Sequence, residues 1–140
     1  MPFTKIWIHL IWTTKNREKI ITKELKLLLL NHIIENSKKK GIFIKIVNCV
    51  SDHIHLLVSL GREQSISKVV MLIKGESSNW INKNKLVKGK FEWQDEYIAV
   101  SVSESVLDKV YGYIKNQEEH HRIKSFEEEY NLFLEHYKFG

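Results

Sequence analysis

Strand-like and helix-like segments alternate along this chain in the order β-α-β-β-α-β, followed by further helical sequence. Four segments rich in β-branched and aromatic residues predict strands: residues 5–14, 42–50, 54–60 and 96–103. Apolar residues recur at helical spacing after Thr22 and again over residues 65–83. This order is that of the ferredoxin-like split βαβ fold. We therefore expect an α+β, RRM-like sandwich: an antiparallel four-stranded sheet with helices on one face, plus C-terminal helices.

Two helices are predicted after the fourth strand. Ser103 or Ser105 is expected to cap the first of them, which would run to about His120. Ser125 and Glu128 have the spacing of a capping box at the start of the second. Both segments carry an apolar stripe, so we expect both to pack against the rest of the domain.

Length and charge limit the classes of function. The 140 residues suit one domain, which we take to span residues 1–140. Lys and Arg number 22 against 17 Asp and Glu, a net charge of +5 that favours a polyanionic partner such as nucleic acid. A single cysteine suits a reducing compartment, and no apolar run is long enough to span a bilayer. We expect a cytoplasmic protein with no membrane partner.

Two histidines at the start of the third predicted strand, one just before it and one within it, are the first candidates for chemistry. His53 and His55 are two residues apart, so their side chains project from the same face, while Ile54 projects from the other. Two imidazoles placed this way can hold one divalent cation and leave positions open for water or phosphate oxygens. The alternative is a pair of polar residues on an exposed face. The pair lacks a Cys-x-x-Cys partner, which argues against a closed zinc site.

A tyrosine and a glutamine form the second candidate. Tyr113 and Gln117 are one helical turn apart and flank the apolar stripe, whereas Tyr111 lies on its packed side. A tyrosine in this position is commonly a rim residue, but it is also placed to act as an oxygen nucleophile. The amide one turn later would reach the same cation.

Basic residues around the second helix are candidates for contacts with nucleic-acid phosphates. The set comprises Arg62, Lys68, Lys74, Lys83, Lys85, Lys88 and Lys90. Trp80, Phe91 and Trp93 are interleaved with them and could stack on bases. The alternative is a solvated lysine loop beside core aromatics, which we prefer for Trp80.

Five short motifs, in order, connect these candidates to a known family. They are WTTK at residues 12–15, DHIHLLV at 52–58, KGESS at 74–78, Y-x-A-x-SVS at 97–103 and YI-x-NQ-x-x-x-H at 113–121. Together they cover nearly the whole chain. The sequence thereby resembles the HUH-type single-tyrosine transposases of small insertion sequences, the IS200-like and IS605-like families.

The resemblance implies a specific activity. Members of the family act on single-stranded DNA with hairpin ends, and the tyrosine cuts to leave a 5′-phosphotyrosine and a free 3′-OH before strand transfer. Carried over, Tyr113 is the nucleophile, and His53, His55 and Gln117 bind Mg²⁺ or Mn²⁺. The residues alone would also suit Zn, Ni or Cu. The resemblance further implies a homodimer, in which the tyrosine helix can complete the partner's site.

Other interpretations stay open at this stage. The main alternative is a non-catalytic or domesticated nucleic-acid-binding relative on the same fold. A replication-initiator or relaxase-type nickase is a third, although these usually carry extra domains. No residue stands out as the general base for the tyrosine: His120 and His121 are weak candidates, and His9 and His32 are expected to be packing or surface residues.

Overall fold

The computed structural model describes residues 2–119 and 125–137. The strands are β1 (Trp7–Thr13), β2 (Phe43–Cys49), β3 (His53–Ser59) and β4 (Ile98–Val102). The helices are α1 (Lys23–Lys39), α2 (Ile66–Lys83), α3 (Leu107–Lys115) and α4 (Phe126–Tyr137). The predicted order of elements is therefore confirmed.

The four strands form one antiparallel sheet in the order β2-β3-β1-β4. Strands β1 and β3 lie at its centre, and in their register Ile11 pairs with His55. Strands β2 and β3 form a hairpin, as the turn residues at 51 and 52 predicted. Each helix crossover joins strands that have another strand between them, which is the expected split βαβ topology.

Helices α1 and α2 cover one face of the sheet. Alternate residues of β1, namely Ile8, Leu10 and Trp12, point into this layer. They meet buried side chains such as Leu29 of α1 and Ile73 of α2 in the main hydrophobic core. The apolar helix stripes seen in the sequence are the surfaces that this core buries.

Helices α3 and α4 cover the opposite face. Leu107 and Ile114 of α3 pack on Trp7 and Leu57, and Phe126 of α4 packs beside Ile11. All of β1 and nearly all of β3 are buried, because both faces of the two central strands are covered. The side chains that alternate away from the main core therefore lie in a second, enclosed layer.

Side-chain caps define several helix ends. The hydroxyls of Thr22 and Ser65 each accept a backbone N–H three residues later, at the starts of α1 and α2. The cap predicted at Ser103 or Ser105 is wrong, because these two hydroxyls bond to each other and Val106 precedes α3. A 3-10 turn at residues 104–106 delays the helix. None of the helices in the described part of the chain is long and apolar enough to cross a membrane.

Candidate active site

His53 and His55 project together from β3 into the layer beneath α3 and α4. Both residues are 0% exposed, and their ring centroids are 5.2 Å apart. The predicted shared face is confirmed, whereas the alternative of an exposed polar pair is wrong. Polar rings buried this deeply need hydrogen-bond partners for their nitrogens.

Each imidazole is oriented through its Nδ1 atom. His53 Nδ1 lies 2.7 Å from Asp52 Oδ1, and His55 Nδ1 lies 2.9 Å from Nε2 of His9 on β1. Because these contacts occupy the Nδ1 atoms, each ring would bind a cation through its Nε2 atom. Ring orientation by such outer partners is characteristic of histidines that bind metals.

Tyr113 of α3 lies against the same rings. The centroid of its ring is 5.7 Å from that of His55 and 6.2 Å from that of His9. The next residue, Ile114, is fully buried and anchors α3 to the sheet. The Asn48 side chain of β2 donates to the carbonyl of Ile114 at 2.8 Å, which fixes the end of the helix. The phenol and the histidines of one chain thus share a site.

Gln117 occupies the next helical turn after α3 and is fully buried. Its Nε2 donates to the carbonyl of Tyr113 at 3.2 Å. Its Oε1 is buried and has no hydrogen-bond partner among the residues the structure describes. An amide oxygen left in this state is a natural ligand for a hard divalent cation.

Glu129 of α4 completes the cluster and was missed in the sequence. It is 5% exposed, and its Oε1 lies 2.8 Å from Nε2 of His55. One ligand atom from each of His53, His55 and Glu129 falls within 4.8 Å of the others. Helix α4 begins as predicted, since the Glu128 N–H donates to Ser125 Oγ at 3.3 Å. Nothing in the sequence separates Glu129 from the two glutamates before it.

Burial perturbs the two titratable groups beside this cluster. Burial, then the Glu129 carboxylate to which the phenol is hydrogen-bonded, raises the pKa of Tyr113 above its ordinary range. Burial, followed by repulsion from His55, lowers the pKa of His9 well below its usual value. Both groups are therefore neutral near neutral pH when no cation is bound.

A cavity of about 350 Å³ opens beside Tyr113, between α3 and α4. Glu129 and Phe133 form part of its wall, and Lys109 and His136 lie along it. This opening gives the phenol an approach from outside. A cationic side chain, Lys109, borders the approach.

The predicted DNA-contact residues lie on α2 and the segments that flank it, on the α2 side of the sheet. Six of the seven are exposed. The seventh, Lys74, is partly buried and donates to three backbone carbonyls, those of Gln94, Asp95 and Glu96, at 2.5, 3.0 and 3.1 Å. Because α2 covers the face opposite Tyr113, these cations lie away from the phenol.

The predicted base-stacking aromatics belong to the core instead. Phe91 and Trp93 are buried beneath α2, so the stacking hypothesis is wrong for both. Trp80 stacks on His32, with ring centroids 3.9 Å apart, in agreement with the preferred packing interpretation. His120 and His121, the weak candidates for a general base, lie outside the described residues.

Solved structures share this fold. One is a candidate transposase from Deinococcus radiodurans, with a TM-score of 0.67 and 26% identity, covering 83% of this chain and 93% of that one. Another is a REP-associated tyrosine transposase bound to a REP hairpin, with a TM-score of 0.65 and 16% identity, covering 86% and 72%. At that identity the second likeness shows the fold alone.

Sequence comparison defines the family. The chain is 29% identical over 115 residues to the ISDra2 transposase TnpA of Deinococcus radiodurans, covering 78% of this chain and 81% of that protein. A family model described as "Transposase IS200 like" matches residues 2–117, which include the histidine pair, the tyrosine and Gln117. The chain therefore belongs to the IS200-like transposases, enzymes of DNA transposition.

Proposed function

We propose that this transposase cuts and rejoins single-stranded DNA through a covalent intermediate on Tyr113. The observation that carries the proposal is the meeting of the Tyr113 phenol, the His53–His55 pair and Glu129 in one buried cluster. A nucleophilic oxygen and a set of cation ligands are the two components that transfer of a phosphodiester requires. A protein that only bound DNA would not need a tyrosine and a set of cation ligands buried together.

The cluster suits a divalent cation. His53, His55 and the buried Oε1 of Gln117 would hold it, and the Glu129 carboxylate lies within reach of the same position. Oxygen donors beside imidazoles accept Mg²⁺ or Mn²⁺, the ions implied by the family resemblance. When bound, the cation would polarise the scissile phosphate and offset the negative charge that opposes ionisation of Tyr113.

The reaction exchanges one phosphodiester for another. The Tyr113 oxygen forms a bond to phosphorus and the bond from phosphorus to the 3′ oxygen breaks. That oxygen leaves as an anion and takes a proton from solvent to become a 3′-OH. The phenol proton passes along its hydrogen bond to the Glu129 carboxylate. In strand transfer, the oxygen of a 3′-OH forms a bond to phosphorus and the bond from phosphorus to the Tyr113 oxygen breaks. The proton lost by the 3′-OH restores the phenol. The reaction consumes no nucleotide cofactor, because the energy of the broken phosphodiester is conserved in the phosphotyrosine bond.

The DNA partner, assembly and compartment complete the proposal. We expect the substrate to be single-stranded DNA with hairpin ends, in line with the family resemblance and the net charge of +5. Exposed cations on the α2 side would bind DNA phosphates that lie at a distance from the reacting phosphate. We further propose that residues 1–140 act as one domain, that the protein is a cytoplasmic homodimer, and that light scattering will give twice the mass of 16.6 kDa.

The test is detection of the covalent adduct. The full-length protein is incubated with a labelled, hairpin-bearing single strand and Mg²⁺, then resolved on a denaturing gel. We expect a labelled protein band with the wild type and none with Tyr113→Phe. Tyr111→Phe is the matched control, because Tyr111 packs on the same helix outside the cluster, beside Lys45.

Two results would contradict the proposal. An adduct that persists in Tyr113→Phe would remove this phenol from the reaction. A wild type that binds the hairpin strand but forms no adduct with Mg²⁺ or Mn²⁺ would favour the alternative of a non-catalytic relative.

A further inference from the structure

His9 is a buried histidine to which the proposed reaction assigns no role. It lies on β1, is 3% exposed, and faces the same enclosed layer as His55. Its Nε2 is 2.9 Å from His55 Nδ1, and the two ring centroids are 5.1 Å apart. The rings of Tyr113 and Phe133 pack against it edge-on, at 6.2 and 5.7 Å. The imidazole is therefore held in one orientation, aimed at His55.

The chemistry of His55 makes that contact consequential. A neutral imidazole carries one N–H, and a ring that binds a cation through Nε2 must carry its proton on Nδ1. In a buried site, that Nδ1–H needs an acceptor, since a buried donor without one destabilises the folded protein. His9 Nε2 lies at the required position, 2.9 Å away, and accepts this hydrogen bond when His9 carries its own proton on Nδ1.

The other proposed ligand has a partner of a different kind. His53 Nδ1 faces the Asp52 carboxylate at 2.7 Å, and a carboxylate can only accept. The ring of His9 can donate or accept, depending on which of its nitrogens carries the proton. His55 Nε2 faces the Glu129 carboxylate at 2.8 Å, and a cation bound at Nε2 would replace the proton shared with Glu129. The Nδ1–H that His55 must then carry depends on His9 as its acceptor.

We infer that His9 is a positioning residue that holds His55 as its Nδ1–H tautomer and thereby sets the affinity of the site for a divalent cation. The inference rests on the proposed cation site. It assigns His9 no contact with the DNA or with the reacting atoms. Removing the ring nitrogens of His9 should therefore weaken cation binding even in the absence of DNA.

The first test measures Mn²⁺ binding to the full-length protein by titration, without DNA. Loss of an outer partner typically lowers metal affinity about 10–100-fold, so we expect a loss of that size in His9→Phe. His9→Gln, which keeps an acceptor near the same place, should recover most of the affinity. The matched control is His32→Gln, because His32 pairs with Glu76 on the α1–α2 side at 2.7 Å and should not affect Mn²⁺ binding. Thermal unfolding checks that each variant is folded.

The second test needs no variant. In the Mg²⁺-saturated wild type, nitrogen NMR should show His55 protonated at Nδ1, with a coupling across the hydrogen bond to His9 Nε2. A His55 ring protonated at Nε2 in that state would overturn the role of His9 but not the proposed cation site. A folded His9→Phe variant with wild-type Mn²⁺ affinity would do the same. A wild type that binds neither ion would overturn the proposed cation site and, with it, the role of His9.

Discussion

The salt dependence of DNA binding tests which cations contact phosphate. Of the seven predicted contacts, Lys74 is engaged by backbone carbonyls and Lys90 pairs with Glu92 at 3.2 Å. The other five form no ion pair within the described segments: Arg62, Lys68, Lys83, Lys85 and Lys88. Each contact with a single-strand phosphate lowers the slope of log K against log salt concentration by about 0.7, so five contacts predict a slope near −3.5.

Replacing three of the five by glutamine should flatten this dependence. The triple variant Lys83→Gln, Lys85→Gln, Lys88→Gln keeps two contacts and should show a slope of about −1.4. A fourfold rise in salt then weakens the wild type about 130-fold and the variant about 7-fold. The assay is fluorescence anisotropy of a labelled hairpin strand without divalent cation, so that cleavage does not interfere.

A second triple variant provides the matched control. Lys38, Lys39 and Lys40 are exposed at the end of α1, and their replacement by glutamine removes the same charge elsewhere on the surface. We expect the slope of this control to stay near the wild-type value. Equal slopes for both triple variants would refute the assignment of phosphate contacts to the α2 side.

Three further predictions concern the layer around the site and the core. Ile114→Ala should lower the free energy of unfolding, measured by urea titration, by about 2–5 kcal/mol, because Ile114 is 0% exposed. Leu132→Ala, at a residue that is 47% exposed, should lower it far less. Glu129→Gln should slow single-turnover adduct formation about 100-fold or more, while Glu128→Gln, one residue away and exposed, should not; equal rates would remove Glu129 from proton transfer. Burial raises the pKa of Cys49 to about 12, so iodoacetamide at pH 8 should modify it in the unfolded protein only, and rapid labelling of the folded protein would contradict this.

Local sequence rules predicted the scaffold well. The shared face of His53 and His55 follows from the two-residue period of a strand, and burial of Ile54 in the other layer follows from the same period. Tyr113 and Gln117 were likewise predicted one turn apart on one helix, but α3 ends at Lys115 and Gln117 lies in the following helical turn. Errors arose where a local signal had competing outcomes, as at Ser103, where a 3-10 turn precedes the helix.

The sequence by itself determined the order of elements, the histidine pair and the tyrosine, because each depends on the spacing of residues within one segment. Only the tertiary structure decided which distant groups meet them. Glu127, Glu128 and Glu129 are chemically identical, and the docking of α4 on the sheet buries Glu129 beside His55. His9 and Lys74 acquire their partners in the same way, from β3 and from the loop before β4. Contacts of this kind depend on how separate elements pack, and no spacing along the chain encodes that.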